Sequence, residues 1–530
     1  MRNLELPGRS PVVAKNGMAA TSHTLATQTA IEVLKAGGNA MDGAIAACAV
    51  QCVVEPGSTG IGGDCFALYA PKGGSNVAGY NGSGRAPAAA TLEKLKSLGV
   101  DELTRTSPHS VIVPGAVDAW CQLNKDHGKL HLSELLQPAI DYARNGYPIG
   151  QRVHHDMSKN LEHLKSNENL SRIFLNNGKV PGYGTLHYQP GLADALELIG
   201  QEGRESFYNG VLAQEMVDTL QKEGGLHTLE DFASAKGEYV TPITTEYRGH
   251  TIVECPPQGQ GVIALLLMNM MEKAEVAGDM LSVERIHLEL EACRRGYASR
   301  GLYLADADQV DVPVNELMSK EYAAQLLADI DASKSTHPDD VLKLPEHKDT
   351  VYISVIDKDR NACSFINTLF WGWGGGITTP KHGIVLTNRG EGFVLEEGHP
   401  NCIAPNKRPL HTIIPALLQK DGKTIMSFGV MGGEYQAMGH MQFLTRFLDY
   451  GMDVQEAQDA PRWMVDPFTG EVEIESTVPE RTVEALRKMG HTIEWAKSPV
   501  GGSQAVQIDW ETGVLTGGSD PRKDGCAIGY

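Results

Sequence analysis

The sequence predicts an α+β protein, and two observations carry that expectation. Apolar residues recur at helical spacing through much of the first 300 positions. Beyond Thr350, β-branched and aromatic runs separated by tight turns take over. The change falls in the stretch 347–377, HKDTVYISVIDKDRNACSFINTLFWGWGGGI. Val351 to Ile356 reads as a buried strand, Asp357 to Asn361 as a turn, and Ala362 to Phe370 as the returning strand. Thr350 therefore falls on the first position of a central strand, at the mouth of a hairpin.

The other elements follow in order. Thr24 to Ala36 is an amphipathic helix stopped by Gly37-Gly38. Asn39 to Val54 is a second helix whose small residues suit close packing. The glycine loop Gly60-Ile61-Gly62-Gly63 and the strand Cys65 to Tyr69 come next. Phosphate loops lie after a strand and before a helix, which is the reverse of this order. Arg85 follows Gly84 on a turn, where a rigid loop can present a guanidinium to a carboxylate. Helices are expected at Leu132 to Asn145, Leu192 to Leu198, Val211 to Lys222, Val262 to Lys273 and Leu281 to Gly301. Strands are expected at Thr241 to Tyr247 and Thr251 to Cys255. His287 and Glu291 share one face of the last helix, where a charged face is the expectation and no third metal ligand is evident. Ser333 to Lys348 loses apolar periodicity and reads as an exposed stretch that tolerates cleavage. After the hairpin, strands are expected at Gly383 to Thr387, Thr412 to Gln419, Lys423 to Gly429 and Gln504 to Trp510. Helices are expected at Tyr435 to Tyr450, Val454 to Ala460 and Glu480 to Gly490.

Composition narrows the function. The 530 residues carry a net charge of −20, spread without a single-sign tail, which argues against nucleic acid and anionic membranes as partners. The N-terminus lacks a signal-type apolar core, and no apolar run reaches membrane-spanning length, so a soluble, cytoplasmic protein is expected. Nine scattered cysteines without a CxxC pair read as free thiols. No cofactor and no metal is implied.

Seven motifs occur together and in order: GGNAMDGAIAA at 37–47, GIGGDCF at 60–66, PGAVDAW at 114–120, DTVYISVIDKDRNA at 349–362, APNKRPLHTIIP at 404–415, Met431-Gly432-Gly433, and GGSDPR at 517–522. In this the chain resembles the gamma-glutamyltransferase (glutathione hydrolase) family of N-terminal-nucleophile hydrolases, over nearly its whole length. The resemblance implies a four-layer αββα sandwich. It also implies self-cleavage between Asp349 and Thr350, giving a large chain (1–349) and a small chain (350–530) that stay associated as one intertwined unit and leave higher oligomers open. The Thr350 hydroxyl would attack the preceding carbonyl, and the freed α-amine would then serve as its base. By the same resemblance Thr368 supports the nucleophile, and Gly432 and Gly433 form the oxyanion hole.

The departures from the family pattern concern the substrate pocket. Ser83 occupies the place of the carboxylate-gripping arginine, with Arg85 two residues later. Gly392 occupies the place of the acid that binds the substrate amine, with Glu391 beside it. Phe370 replaces an asparagine, His411-Thr412 replace a serine pair, and Arg389 replaces a neutral residue. The stretch before Pro405 is short, so a covering lid is not expected. These residues lead to a self-processing amide hydrolase or acyltransferase whose small-molecule donor bears a carboxylate held by Arg85 and Arg389. Gamma-glutamyl compounds are the leading class, with oxamate or glutaryl (cephalosporin side-chain) amides as the alternative. An unprocessed binding protein on the same fold is the alternative of another kind.

Overall fold

The computed structural model describes residues 8–274, 278–336 and 350–530. Two seven-stranded antiparallel sheets lie face to face. The first has the order Cys526–Gly529, Met18–Thr21, Val351–Ile356, Ala362–Thr368, Asp64–Ala70, Ala78–Gly82, Glu238–Val240. The second has the order Val12–Ala14, Leu515–Ser519, Gly502–Ile508, Lys423–Met431, Ala416–Lys420, His250–Glu254, Ile243–Tyr247. Both sheets interleave strands from either side of Thr350 in the sequence. A cut before Thr350 would therefore leave the two pieces joined along several ladders.

The two-residue period of the central hairpin serves two of the three layers of core. Tyr352, Ile356 and Ile366 point between the sheets. Ile353, Val355, Cys363 and Phe365 point the other way, into the helices Thr24–Lys35, Ala40–Val54, Leu132–Asn145 and Pro190–Glu202. Helices Gly261–Lys273, Val283–Tyr303 and Tyr435–Leu448 cover the second sheet. The result is the expected four-layer αββα sandwich. Ala40–Val54 is buried at every residue because it lies directly on the hairpin. A Cβ at Gly43 would sit 3.3 Å from Val355 Cγ1. Asn39 caps this helix through a reciprocal bond pair with Asp42.

A polar seam crosses the inter-sheet core. Tyr352 Oη lies 2.7 Å from Ser364 Oγ and 3.2 Å from Ser427 Oγ, and Ser354 Oγ donates to the Ser427 carbonyl at 3.1 Å. Each hydroxyl is satisfied away from water, so the seam fixes the register of one sheet on the other. Gly429 makes room for the Tyr352 ring, since a Cβ there would lie 2.3 Å from it.

Most expected elements occur within a few residues of their expected bounds, but Gly383 to Thr387 is not a strand. Val385 and Leu386 form only isolated bridges, to Thr378 and Gly62. Gly383 has φ +67°, and the chain passes at once into the 3-10 turn Arg389–Gly392, so this β-branched run has no continuous partner. Asp349, half of the expected cleavage site, and the expected exposed stretch beyond Thr336 lie outside the described residues. Among the described residues no helix is long and apolar enough to cross a membrane.

Candidate active site

The hairpin register pairs Val351 with Asn367, which puts Thr350 opposite Thr368. Both side chains are fully buried, and their hydroxyl oxygens lie 3.3 Å apart. Thr368 Oγ1 also accepts the Phe370 N–H at 2.9 Å, which closes a turn that holds Phe370 at φ +79°. An aromatic residue with positive φ is strained, and such strain persists where surrounding packing over-determines it. Here the turn lays the Phe370 ring against Arg389, whose guanidinium carbon is 3.9 Å from the ring centroid.

Arg389 is fully buried. Its Nη1 donates to Thr412 Oγ1 at 3.2 Å, while Nε and Nη2 have no partner among the described residues. Burial pushes this guanidinium down to about 9, against the pull of Asp64, Glu434 and Glu391, so it stays charged at neutral pH. A buried cation with two unused donors is an incomplete arrangement, since such donors normally find acceptors.

Asp64 begins the strand beside the hairpin and pairs in register with Thr368. It accepts the Gly84 N–H at 2.8 Å and lies 3.1 Å from His411 Nε2. Burial raises its carboxyl to about 6, with the charge of Arg389 opposing. His411 Nδ1 accepts from the Ile413 N–H at 3.4 Å, which leaves Nε2–H to face Asp64. Burial, and secondarily Arg389, hold His411 well below its usual range, so it is neutral. The glycines before Asp64 serve backbone contact. A Cβ at Gly63 would lie 2.0 Å from the Thr368 carbonyl, and one at Gly62 would lie 2.2 Å from that of Val385.

On the far side of Arg389 the second sheet ends in Gly432 (φ +119°) and Gly433 (φ +56°). Among the described residues neither N–H is donated to a backbone carbonyl of the surrounding turns. Gln260 fixes this turn. Its Nε2 donates to the Thr412 carbonyl at 2.8 Å and to the Gly433 carbonyl at 3.2 Å, and its Oε1 accepts from Arg300 at 2.9 Å. Arg300 also pairs with buried Glu434. One continuous set of contacts thus runs from Thr350 through Thr368, Phe370, Arg389, Thr412 and Gln260 to Gly433.

Arg85 does not belong to that set, which corrects the expected placement. Its Nη2 lies 2.8 Å from Asp308, its Nη1 lies 3.4 Å from Asp306, and Nη1 also donates to the Asn406 carbonyl at 3.0 Å. The loop turns this guanidinium into an acidic cluster, where its charge is already neutralised. Glu391 lies beside the site but accepts from Asn388 Nδ2 at 2.8 Å, and burial raises its carboxyl to about 7. The structure brings Thr350, Thr368, Arg389, His411, Thr412, Gly432 and Gly433 into one neighbourhood. It adds Asp64, Gln260, Arg300 and Glu434, whose roles the sequence reading missed. The acid directly after GIGG and the loop Pro256-Pro257-Gln258-Gly259-Gln260-Gly261 are the signals that could have marked two of them.

His287 and Glu291 do acquire a third neighbour, His491. These donors are already engaged. Glu291 pairs with Arg294 and, at 2.8 Å, with Arg295, and His287 Nδ1 lies 2.8 Å from His491 Nε2. Two guanidinium groups at the carboxylate oppose a metal ion there.

Two stacked antiparallel sheets between helical layers are the architecture of the N-terminal-nucleophile hydrolase class, and buried Thr350 immediately precedes a central strand of it. The Gamma-glutamyltranspeptidase family model matches residues 26–530, and the chain belongs to this family. It is 38% identical over 526 residues to the glutathione hydrolase-like YwrD proenzyme of Bacillus subtilis (strain 168), covering 98% of this chain and 99% of that one. It is 32% identical over 530 residues to the oxamate amidohydrolase proenzyme of Klebsiella pneumoniae, covering 98% and 99%. The crystal structure of cephalosporin acylase from Bacillus halodurans superposes with a TM-score of 0.92 at 37% identity, covering 100% of this chain and 99% of that one. The chain is thus an amidohydrolase of this fold, in a family whose members act on different acyl groups.

Proposed function

We propose that the protein cuts itself before Thr350 and then hydrolyses small amides whose acyl group carries a carboxylate. Residues 1–349 and 350–530 are the two chains of the mature enzyme. The Thr350 hydroxyl attacks the amide carbonyl while its own α-amine takes the proton; the tetrahedral adduct then breaks its C–N bond as the α-ammonium passes that proton to the leaving amine, and water opens the acyl-enzyme that remains. Thr368 holds the Thr350 hydroxyl in place from 3.3 Å. The Gly432 and Gly433 N–H groups receive the developing oxyanion.

The observation that carries the substrate class is Arg389. Its two unused nitrogens, Nε and Nη2, are buried beside Phe370, whose N–H is held by Thr368. A donor carboxylate supplies the missing acceptors, and a charge-assisted bond of this kind contributes about 1.5–3 kcal/mol. A γ-glutamyl donor also brings an ammonium group. Gly392 offers it no acid, and the Glu391 carboxyl is taken up by Asn388. Removing the α-amine from a γ-glutamyl donor should therefore change kcat/KM by less than about tenfold. A larger loss, reproduced by Glu391→Gln, would assign the protein to γ-glutamyl compounds with Glu391 as the amine anchor.

Denaturing electrophoresis tests the first half of the reading. The wild type should give two bands, and Thr350→Ala a single inactive one, because alanine has no hydroxyl to attack the preceding carbonyl. Normal cleavage in Thr350→Ala would remove Thr350 from the mechanism. A panel of γ-glutamyl, glutaryl and oxamoyl donors tests the second half.

A further inference from the structure

His411 is the point at which the separate parts of the amidase site meet. Its N–H donates to the Gln258 carbonyl at 3.1 Å, and its carbonyl accepts the Gln260 N–H at 3.0 Å. The next residue, Thr412, holds Arg389 Nη1 through its hydroxyl and Gln260 Nε2 through its carbonyl. Gln260 Nε2 reaches the Gly433 carbonyl as well. The His411 ring crosses to the first sheet, where its centroid lies 4.9 Å from that of Phe66 and its Nε2 meets Asp64. Asp64 stands in register with Thr368, whose hydroxyl faces Thr350. Asp64 and His411 therefore tie the nucleophile's sheet to both the Arg389 site and the oxyanion turn.

This tie requires a carboxylate. Asp64 receives two N–H groups, from Gly84 on Oδ1 at 2.8 Å and from His411 Nε2 on Oδ2 at 3.1 Å. An ionised carboxylate accepts at both oxygens, whereas an amide of the same shape accepts at one end and donates at the other. The Ile413 N–H on Nδ1 keeps the imidazole in its Nε2–H form. Burial raises the Asp64 carboxyl to about 6, opposed by Arg389, the Gly84 and Gly115 N–H groups and Arg408, so it is mostly ionised at neutral pH. Neither guanidinium hydrogen-bonds it among the described residues, since Arg389 bonds to Thr412 and Arg408 to Glu238 and Asp308. No hydrogen-bonded arginine offsets the cost of burying this charge. What the charge supplies is the second acceptor.

We propose that Asp64 is a positioning residue of the amidase reaction, which holds His411 in one tautomer and one orientation and so sets Arg389 and the Gly433 turn relative to Thr350. His411 is the link, and its neutral imidazole transfers no proton in this role. The inference rests on Thr350 as the nucleophile but not on which donor is cleaved.

The test is a double-mutant cycle on the processed enzyme, assayed at neutral pH with whichever donor of the panel turns over fastest. Asp64→Asn sets an amide N–H group against either the Gly84 N–H or His411 Nε2–H, and kcat should fall about tenfold or more. His411→Gln keeps a donor for Asp64 and should lose less. Combining the two should raise kcat about fivefold or more above Asp64→Asn alone, because a glutamine amide at 411 can turn its oxygen toward the asparagine N–H group. A merely structural contact would lower the denaturant midpoint, leave kcat within about twofold and give additive losses. Where Asp64→Asn matures slowly, the rate of cleavage before Thr350 replaces kcat as the readout. If Asp64→Asn does not fold, the double variant is compared with His411→Gln. A kcat within about fivefold supports the role, and a loss of about tenfold or more overturns it. Unchanged kcat in Asp64→Asn, or additive losses in the cycle, would also overturn it. Cleavage and turnover persisting in Thr350→Ala would instead overturn the reading of the nucleophile.

Discussion

Arg85 and Arg389 both adjoin a glycine in a loop near the hairpin, and the sequence treats them as equals. The fold separates them. Arg85 is part-exposed and faces Asp306 and Asp308. Arg389 is buried under Phe370 with one hydroxyl partner and two idle donors. A guanidinium that already has carboxylates gains little from a substrate's carboxylate, and screening weakens what it gains. A buried guanidinium with two nitrogens lacking acceptors gains the full charge-assisted bond. On the proposed reading recognition depends on the unsatisfied charge, and only the contacts around each arginine reveal which one that is.

Arg389→Ala tests that contrast with the largest effect. It should lower kcat/KM for a glutaryl anilide about a hundredfold, mainly through KM, while a neutral acyl anilide changes by less than about threefold. Arg389→Lys keeps the charge but not the fork, and should recover part of the loss. Equal losses on charged and neutral donors would make Arg389 a packing residue.

Gln260→Glu sharpens the comparison from the other side of Arg389. It keeps the shape and the Arg300 contact but removes the donor to the Thr412 and Gly433 carbonyls. We expect kcat to fall about tenfold with KM little changed, since the oxyanion turn loosens while the carboxylate site remains. A loss confined to KM would place Gln260 with substrate binding instead.

Arg85→Ala should leave both γ-glutamyl and glutaryl donors within about threefold of wild type and cost no more than about 1 kcal/mol in denaturant unfolding. A hundredfold loss for both donors would restore Arg85 as the carboxylate anchor.

The smallest expected effect is a flat line. Burial places the Glu391 carboxyl at about 7, so it is mostly neutral at pH 6 and mostly ionised at pH 8. If it held the donor ammonium, the γ-glutamyl to glutaryl ratio of kcat/KM would climb as pH rises through that range. We expect the ratio to change by less than about twofold.

Much of the molecule was legible in the chain. The near-continuous apolar run Val351–Ile356 and its return Ala362–Thr368, with a short turn between them, specify a hairpin buried on both faces. That hairpin places Thr350 opposite Thr368 whatever else surrounds it. Small residues in 40–54 announce a helix lying flat on a sheet, and Asn39 announces its start. These features are local, because backbone hydrogen bonding and side-chain period act over a few residues.

Tertiary structure decided the rest. Gly383 to Thr387 has strand composition but meets its neighbours only in single-residue bridges, and a strand exists only through a continuous partner. Asp64, Gln260 and Arg300 join the site from three distant segments, each through hydrogen bonds that no spacing records. Which arginine stays unpaired depends on what folds against it, since Asp306 and Asp308 reach Arg85 across more than 200 positions of sequence. The sequence by itself determined the hairpin and the position of its threonine, because those follow from local period and turn chemistry. The electrostatic state of the pocket follows from long-range burial and pairing, and only the packed structure determines it.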